Sequence, residues 1–280
     1  MKALLSTFLT ILTATIVYGQ GFEPLDLAKR IFGKDRLPNI ENYIKGEFKG
    51  QPNGQDLQKG STTQFRLLAQ SETKAVVAMT ILDSLNTGLD TYLYFEKDST
   101  WKMSAFRALA MTGIIEKLKI ELEKMTPQQV DEIISLSKNT PKEDFALFRS
   151  RDDYFFQLGN SKLTLELDDN IIKHFLANKA AFERLKDQAL KQLEKEKVDE
   201  ERSMDLILEL KSDYRKLFIS SVSTGGYELG NCINFFIGGM IDNTVGYLYV
   251  KDKKDLPEMN PERVIMVREI GNGWYIYKTT

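Results

Sequence analysis

The chain has 280 residues, with 38 basic and 40 acidic side chains, a formal net charge of −2, 42% hydrophobic residues, one His and one Cys. The near-balance of charge argues against nucleic acid as a partner, because phosphate binding needs clustered positive charge. A single Cys and a single His exclude an intrachain disulfide framework, multi-thiolate zinc sites and every centre that needs two imidazoles.

Residues 1–19 have the pattern of an export signal. Lys2 is followed by an uncharged stretch from Ala3 to Val17, which is too short for a lasting transmembrane span, and a cut is predicted after Gly19. No Cys lies near the cut to carry a lipid anchor, and no later segment approaches transmembrane length. The sequence therefore predicts an exported, soluble protein that is periplasmic or secreted, with a single membrane-anchoring helix as the alternative.

A helix, a linker and a group of strands are predicted next. Apolar side chains recur at roughly helical spacing in residues 22–45, and three Gly and one Pro interrupt this pattern in residues 49–60. From Thr62 onward the hydrophobic period changes to two, which is typical of strands with one buried face.

The segment from Tyr92 to Met103 predicts a β-hairpin. A loop of three residues pairs Glu96 with Lys102, whereas a loop shorter by one residue mixes polar and apolar faces. The longer loop predicts one face with Leu93, Phe95, Trp101, Met103 and Ala105 and an opposite face with Tyr92, Tyr94 and Phe106.

Helices are predicted after Ala108. An apolar stripe from Met111 to Met125 indicates the first helix, and Thr126-Pro127-Gln128-Gln129 is a capping signal for the second. The same chemistry at Thr140-Pro141-Lys142-Glu143 predicts a third helix that ends at Gly159. Alternatively, residues Tyr154 to Leu158 near the end of that segment form a strand.

A fourth helix is predicted to begin at a cap formed by Asp168 or Asp169 and to continue through Leu193. A second apolar stripe runs from Met204 to Leu217. The charged segment Lys186 to Arg202 lies between them and mixes both signs, so we interpret it as a solvated helix face.

Strand patterns return after Ser220, separated by loops that contain Gly and Pro. The predicted strands are Asn231–Ile237, Val245–Val250, Val264–Ile270 and Trp274–Lys278. The order of strands, helices and strands predicts an α+β fold with antiparallel β-meanders at both ends of a helical middle. The predicted segments are a signal peptide (1–19), an N-terminal helix and linker (20–60), a β-meander (61–109), a helical region (110–220) and a C-terminal antiparallel β region (221–280).

A family resemblance rests on two hairpins that have a Trp at the start of the return strand. Residues 74–107 (KAVVAMTILDSLNTGLDTYLYFEKDSTWKMSAFR) and, less closely, residues 264–278 resemble the closing strands of NTF2-like or cystatin-like secreted bacterial domains. The resemblance implies a curved sheet packed on helices and a cone-shaped pocket, and it brings no catalytic motif. The long helical middle departs from the family pattern.

No set of catalytic residues is recognisable in the sequence. No nucleophile and no second metal ligand lies at a suitable sequence spacing from His174. Cys232 is predicted to be a small buried residue. The acid pairs Asp152-Asp153 and Asp168-Asp169 lie beside predicted helix ends, where capping explains them. We therefore predict no catalytic residue, no metal site and no cofactor.

Aromatic side chains in the two β regions are the remaining candidates for a binding site. Core packing is the simpler explanation of most of them, and a pocket for an apolar or sugar-like ligand is the alternative. Arg107 ends its strand near these rings, where it suits either a ligand carboxylate or a surface ion pair. The candidate ligand-binding residues are Tyr92, Tyr94, Trp101, Phe106, Arg107, Trp274, Tyr275 and Tyr277.

The sequence as a whole predicts a non-catalytic exported protein that binds a small apolar or sugar-like ligand or a cell-envelope protein. One alternative is a carboxylate-dependent hydrolase of envelope glycans, which would show two acidic side chains in a cleft, one with a raised pKa. The other alternative is a structural or interaction protein.

Overall fold

The computed structural model describes residues 21–85, 87–138, 147–195 and 205–280. Two antiparallel sheets flank a helical middle, which confirms the predicted α+β class and the β-α-β order. The signal peptide and the predicted helix start at Thr140 to Glu143 lie outside the described residues, as does much of the charged segment that ends at Arg202.

The N-terminal part contains one regular helix, α1 (Pro24–Ile31), and a short 3-10 turn at Ile40–Tyr43. Leu27 and Ile31 on α1 are buried against the first sheet. The predicted N-terminal helix is therefore confirmed over α1, and the residues that follow it form turns.

The N-terminal sheet has four strands in sequential order: β1 (Thr62–Gln70), β2 (Lys74–Leu82), β3 (Gly88–Lys97) and β4 (Trp101–Ala108). One face packs on α1, and the other contributes to the main core of the protein. The central strands β2 and β3 are thus covered on both faces, which explains why they are apolar over most of their length, whereas the edge strand β1 has no buried residue.

The β3–β4 hairpin has the predicted loop of three residues and the predicted pairing of Glu96 with Lys102. Beyond this pair the register shifts, because Ser104 is an extra residue between two paired positions. This β-bulge moves Ala105 to the face of Tyr94 and Phe106 to the face packed on α1, so the predicted faces of these two residues are wrong.

The helical middle begins with α2 (Thr112–Lys124) and α3 (Pro127–Lys138). Thr126 and Gln129 form the predicted capping box at the start of α3. The Thr126 N–H donates to Gln129 Oε1 at 2.8 Å, and the Gln129 N–H donates to Thr126 Oγ1 at 3.3 Å.

Helix α4 (Arg151–Thr164) differs from the sequence prediction at its C-terminal end. Ser150 caps the helix by accepting from the Asp153 N–H, and the helix passes through Gly159, so both the predicted end and the alternative strand are wrong. A Cβ atom on Gly159 would lie 2.1 Å from the Phe218 ring. The glycine therefore permits close packing and does not end the helix.

The predicted fourth helix is two helices, α5 (Asp168–Ala177) and α6 (Lys179–Lys195), interrupted at Asn178. The N-cap of α5 is Leu167 and has no side-chain hydrogen bond, so the predicted cap by Asp168 or Asp169 is wrong. Met204, the first residue of the second apolar stripe, lies outside the described residues. From residue 205 onward the stripe forms a 3-10 turn (Leu208–Leu210) and the short helix α7 (Lys211–Lys216), and a further turn of helix, α8, spans Gly226–Leu229.

The C-terminal sheet has five strands in the order β5-β6-β7-β9-β8. The four predicted strands are present, with shifted ends, and one short additional strand precedes them. The strands are β5 (Ser221–Thr224), β6 (Ile233–Met240), β7 (Asn243–Tyr249), β8 (Val264–Gly271) and β9 (Trp274–Thr279).

The two sheets remain separate but share one main core with α5 and α6. Phe175 and Phe182 of these helices lie against Trp274 and Tyr247 of the C-terminal sheet. The Tyr94 hydroxyl of the N-terminal sheet donates to the Ile265 carbonyl of β8 at 2.9 Å. This shared core places the ends of both sheets beside the first turn of α5.

Candidate functional site

The aromatic residues that the sequence singles out are not gathered on one surface. All except Phe106 are almost fully buried, and they belong to three different hydrophobic clusters. Tyr92, Tyr94 and Trp274 lie in the main core, Trp101 and Phe106 in the core beneath α1, and Tyr275 and Tyr277 on the other face of the C-terminal sheet. They therefore act as core residues in this structure.

Arg107 joins two parts of the chain. Its guanidinium pairs with the Glu47 carboxylate and donates to the Pro261 carbonyl in the loop before β8. These contacts correspond to the ion-pair interpretation of Arg107, with a partner from the N-terminal segment.

A large cleft lies between the N-terminal sheet and the helical middle, with a cavity volume of about 1010 Å³. Residues 56–61 and the β2–β3 hairpin form one side, and the face of α2 that carries Glu116 forms another. The segment from the end of α4 to the start of α5 completes the walls. The most deeply buried lining residues, which we call the cleft floor, are Asp90, Lys278 and Thr164.

A buried polar cluster extends behind this floor. Lys278 Nζ is 2.8 Å from Asp168 Oδ1, and each side chain is about 5% exposed or less. The Tyr92 hydroxyl donates to both oxygens of Asp168 at 3.0 Å. Asp90 Oδ2 accepts from the Asp168 N–H at 2.6 Å, and Asp90 Oδ1 accepts from the Thr80 hydroxyl.

The acidic pair at the start of α5 connects this helix to both sheets. Asp168 contacts Tyr92 of the N-terminal sheet and Lys278 of the C-terminal sheet. Asp169 lies 2.6 Å from Arg268 of the C-terminal sheet and 3.9 Å from Arg66 of the N-terminal sheet. Carboxylates in the first turn of a helix are also favoured by its dipole. The pair therefore has a structural role that the capping interpretation did not identify.

The burial of Asp90 affects its ionisation. Loss of hydration raises the pKa of the Asp90 carboxyl, and the negative charge of Asp168 raises this pKa further. Burial likewise raises the pKa of the Tyr92 hydroxyl well above its ordinary value, so Tyr92 stays a hydrogen-bond donor. The floor thus presents a carboxyl group that takes up a proton more readily than an exposed Asp does.

Replacing Asp90 with asparagine is expected to raise the free energy of unfolding at pH 7. Because the folded state binds the Asp90 proton more tightly than the unfolded state, ionisation costs stability as the pH rises through the folded-state pKa. The difference between Asp90→Asn and the wild type should vanish below pH 3, where both states are protonated, and urea unfolding across the pH range measures it.

Asp83 provides a control of opposite sign for this measurement. The Thr87 hydroxyl lowers the pKa of Asp83. Asp83→Asn should therefore be less stable than the wild type at pH 7, and this difference should disappear at low pH. A loss of stability at pH 7 in both variants would contradict the proposed cost of Asp90 ionisation.

The sequence contained a signal for the two charged floor residues. Strand β9 alternates between Trp274 and Ile276 in the main core and Tyr275 and Tyr277 on the other face, which places Lys278 on the core side. Asp90 likewise stands two residues before Tyr92, on the core side of β3. A charged residue at a core-facing position of an alternating strand marks a buried polar site.

Cys232 is buried, as the sequence predicts, and His174 is half-buried. His174 Nε2 hydrogen-bonds the Leu217 carbonyl at 3.1 Å, and burial lowers the pKa of the ring. Burial raises the pKa of the Cys232 thiol to about 12, which disfavours the thiolate that a nucleophile needs. Within the described ranges, no group of three His, Cys, Asp or Glu side chains is placed to hold a metal ion.

No protein-family model, curated protein or solved structure matches this chain. The resemblance of residues 74–107 to NTF2-like domains therefore stays a prediction. Among the helices of the described segments, none combines the length and apolar character needed to cross a membrane.

Proposed function

We propose that this protein is an exported, non-catalytic binding protein that holds a small ligand in the cleft beside Asp90 and Lys278. Export is inferred from the signal pattern of residues 1–19, and it implies a periplasmic or secreted protein. The observation that carries the binding role is the cleft itself. Its volume of about 1010 Å³ is at the upper end of the range of about 300–1,000 Å³ that is typical of ligand pockets.

The position of the cleft also supports a binding role. The proposed NTF2-like resemblance implies a curved sheet packed on helices and a cone-shaped pocket, and this cleft lies between the N-terminal sheet and helices α2 and α4. None of the described lining residues is aromatic, so the ring surfaces that stack on sugars are missing from its walls. The cleft thus replaces the aromatic residues as the proposed binding site.

A matched pair of tryptophan substitutions on α2 tests cleft binding. Glu116 lines the cleft, and Glu121 is an exposed residue of the same helix that does not line it. Compounds from a small-molecule library that bind the wild type, detected by ligand-observed NMR, should lose most of their affinity for Glu116→Trp and keep it for Glu121→Trp. Compounds that bind both variants equally well would contradict the cleft as the binding site.

The alternative function is a carboxylate-dependent hydrolase of envelope glycans, and one observation favours it. Asp90 lies on the cleft floor and has a raised pKa, and Asp168 lies directly behind it, so the pair has the composition of a general acid beside a second carboxylate. Against it, Asp168 is paired with Lys278, and both oxygens of Asp90 accept hydrogen bonds within the protein. Release of reducing ends from soluble cell-wall glycan by the wild type, but not by Asp90→Asn, would favour the hydrolase over the binding protein.

A further inference from the structure

The charged groups that line the cleft do not cancel. Six carboxylates and three ammonium groups line it. Two of the ammonium groups are paired, Lys162 with Glu123 at 3.0 Å and Lys278 with Asp168 at 2.8 Å, which leaves Lys119. In the part of the chain that is described, no ion pair joins a Lys or Arg to the lining residues Asp56, Asp83, Asp90, Glu116 and Glu166.

The excess of carboxylates gives the cleft a negative potential. A concave surface lined by one sign of charge concentrates counter-ions and repels ions of its own sign. Anionic ligands are therefore disfavoured, and a positively charged group gains from several carboxylates at once. Glu116 lies on α2 and Glu166 on the segment between α4 and α5, so two different elements each contribute a carboxylate to the lining of the cleft.

The remaining lining residues include a set of aliphatic side chains. Four lie in or beside the N-terminal sheet and two in the segment before α5. Contact with such side chains removes apolar ligand surface from water. These residues are Leu57, Ile81, Leu89, Leu109, Leu165 and Leu167.

We infer that the ligand of this cleft is an organic cation with an apolar stem, such as an alkylammonium compound. The inference rests on the proposed binding function and names the chemistry of its ligand. The ammonium group lies among the carboxylates of the walls, and the stem lies against the leucine side chains. A divalent metal ion matches the charge of the cleft but gains nothing from its aliphatic residues.

Three probes with the same alkyl stem separate charge from apolar contact. Octylammonium, octanol and octanoate are titrated into the full mature chain by calorimetry at pH 7, with CaCl₂ as a fourth arm. Octylammonium should bind about tenfold more tightly than octanol, and octanoate more weakly than octanol. Raising the NaCl concentration should reduce the difference between octylammonium and octanol, because salt screens these charges.

Substitutions on one face of α2 assign the preference to the cleft. Glu116→Gln should weaken octylammonium binding about threefold, which is the size of one exposed ion pair, and leave octanol unchanged. Lys119→Gln should strengthen octylammonium binding, because it removes the unpaired cation. Glu121→Gln, outside the cleft on the same helix, is the matched control and should change neither affinity.

The outcomes separate this inference from the proposed function. Equal affinity for the three octyl probes, each lost in Glu116→Trp, would overturn the cation preference and leave cleft binding intact. Binding of Ca²⁺ at least as tight as that of octylammonium would also overturn the inference. Octyl probes that bind Glu116→Trp as well as they bind the wild type would contradict the proposed function itself.

Discussion

Replacing Lys278 with methionine is expected to lower the free energy of unfolding by about 3–5 kcal/mol. Methionine keeps the length and apolar stem of lysine but leaves the Asp168 carboxylate without its cation. Because Lys278 and Asp168 are both almost fully buried, water is a poor replacement for the lost partner. Urea unfolding at pH 7 measures the loss, as a lower midpoint with an unchanged slope.

Two further variants show whether charge is the cause of this loss. The double variant Asp168→Asn with Lys278→Met removes both charges and should recover much of the stability, because position 168 no longer holds a buried carboxylate without a cation. Lys216→Met removes an exposed ion pair with Asp213 and should cost less than about 1 kcal/mol. A double variant no more stable than Lys278→Met would show that the single variant acts by disturbing packing.

The ion pair between Asp168 and Lys278 illustrates which part of the site could be predicted from the sequence. The alternation of β9 indicates that Lys278 faces the core, and this information is local. The identity of its partner is not local, because it depends on how α5 packs between the two sheets. The sequence therefore favours a cap for Asp168, because an acidic residue just before an apolar helical stripe is typical of an N-cap.

The limits of the fold prediction have a similar origin. The period of the apolar residues predicts nearly all strands of both sheets and the first helices of the middle, because each buries one face. The bulge at Ser104 could not be recognised from the apolar period of β4, because it is defined by the pairing of β4 with β3. Gly159 looks like a helix end, and only its contact with the distant Phe218 shows that it lies within α4.

Truncating Trp274 to alanine is expected to lower the free energy of unfolding by about 3–5 kcal/mol. The Trp274 side chain is fully buried, with ring centroids 4.8 Å from Phe175 and 5.0 Å from Phe235. Its Nε1 also donates to Glu183 Oε1 at 3.1 Å. Alanine leaves a cavity among these rings and an unmatched acceptor, and chemical unfolding followed by circular dichroism measures the cost.

Trp274→Phe separates the packing role of this residue from a role in ligand binding. Phenylalanine keeps one aromatic ring in the core, so the variant should be more stable than Trp274→Ala and remain folded for titration. Because Trp274 does not line the cleft, Trp274→Phe should bind octylammonium with the affinity of the wild type. Loss of binding in this folded variant, with little loss of stability, would instead support the aromatic residues of β9 as the ligand site and contradict their assignment to the core.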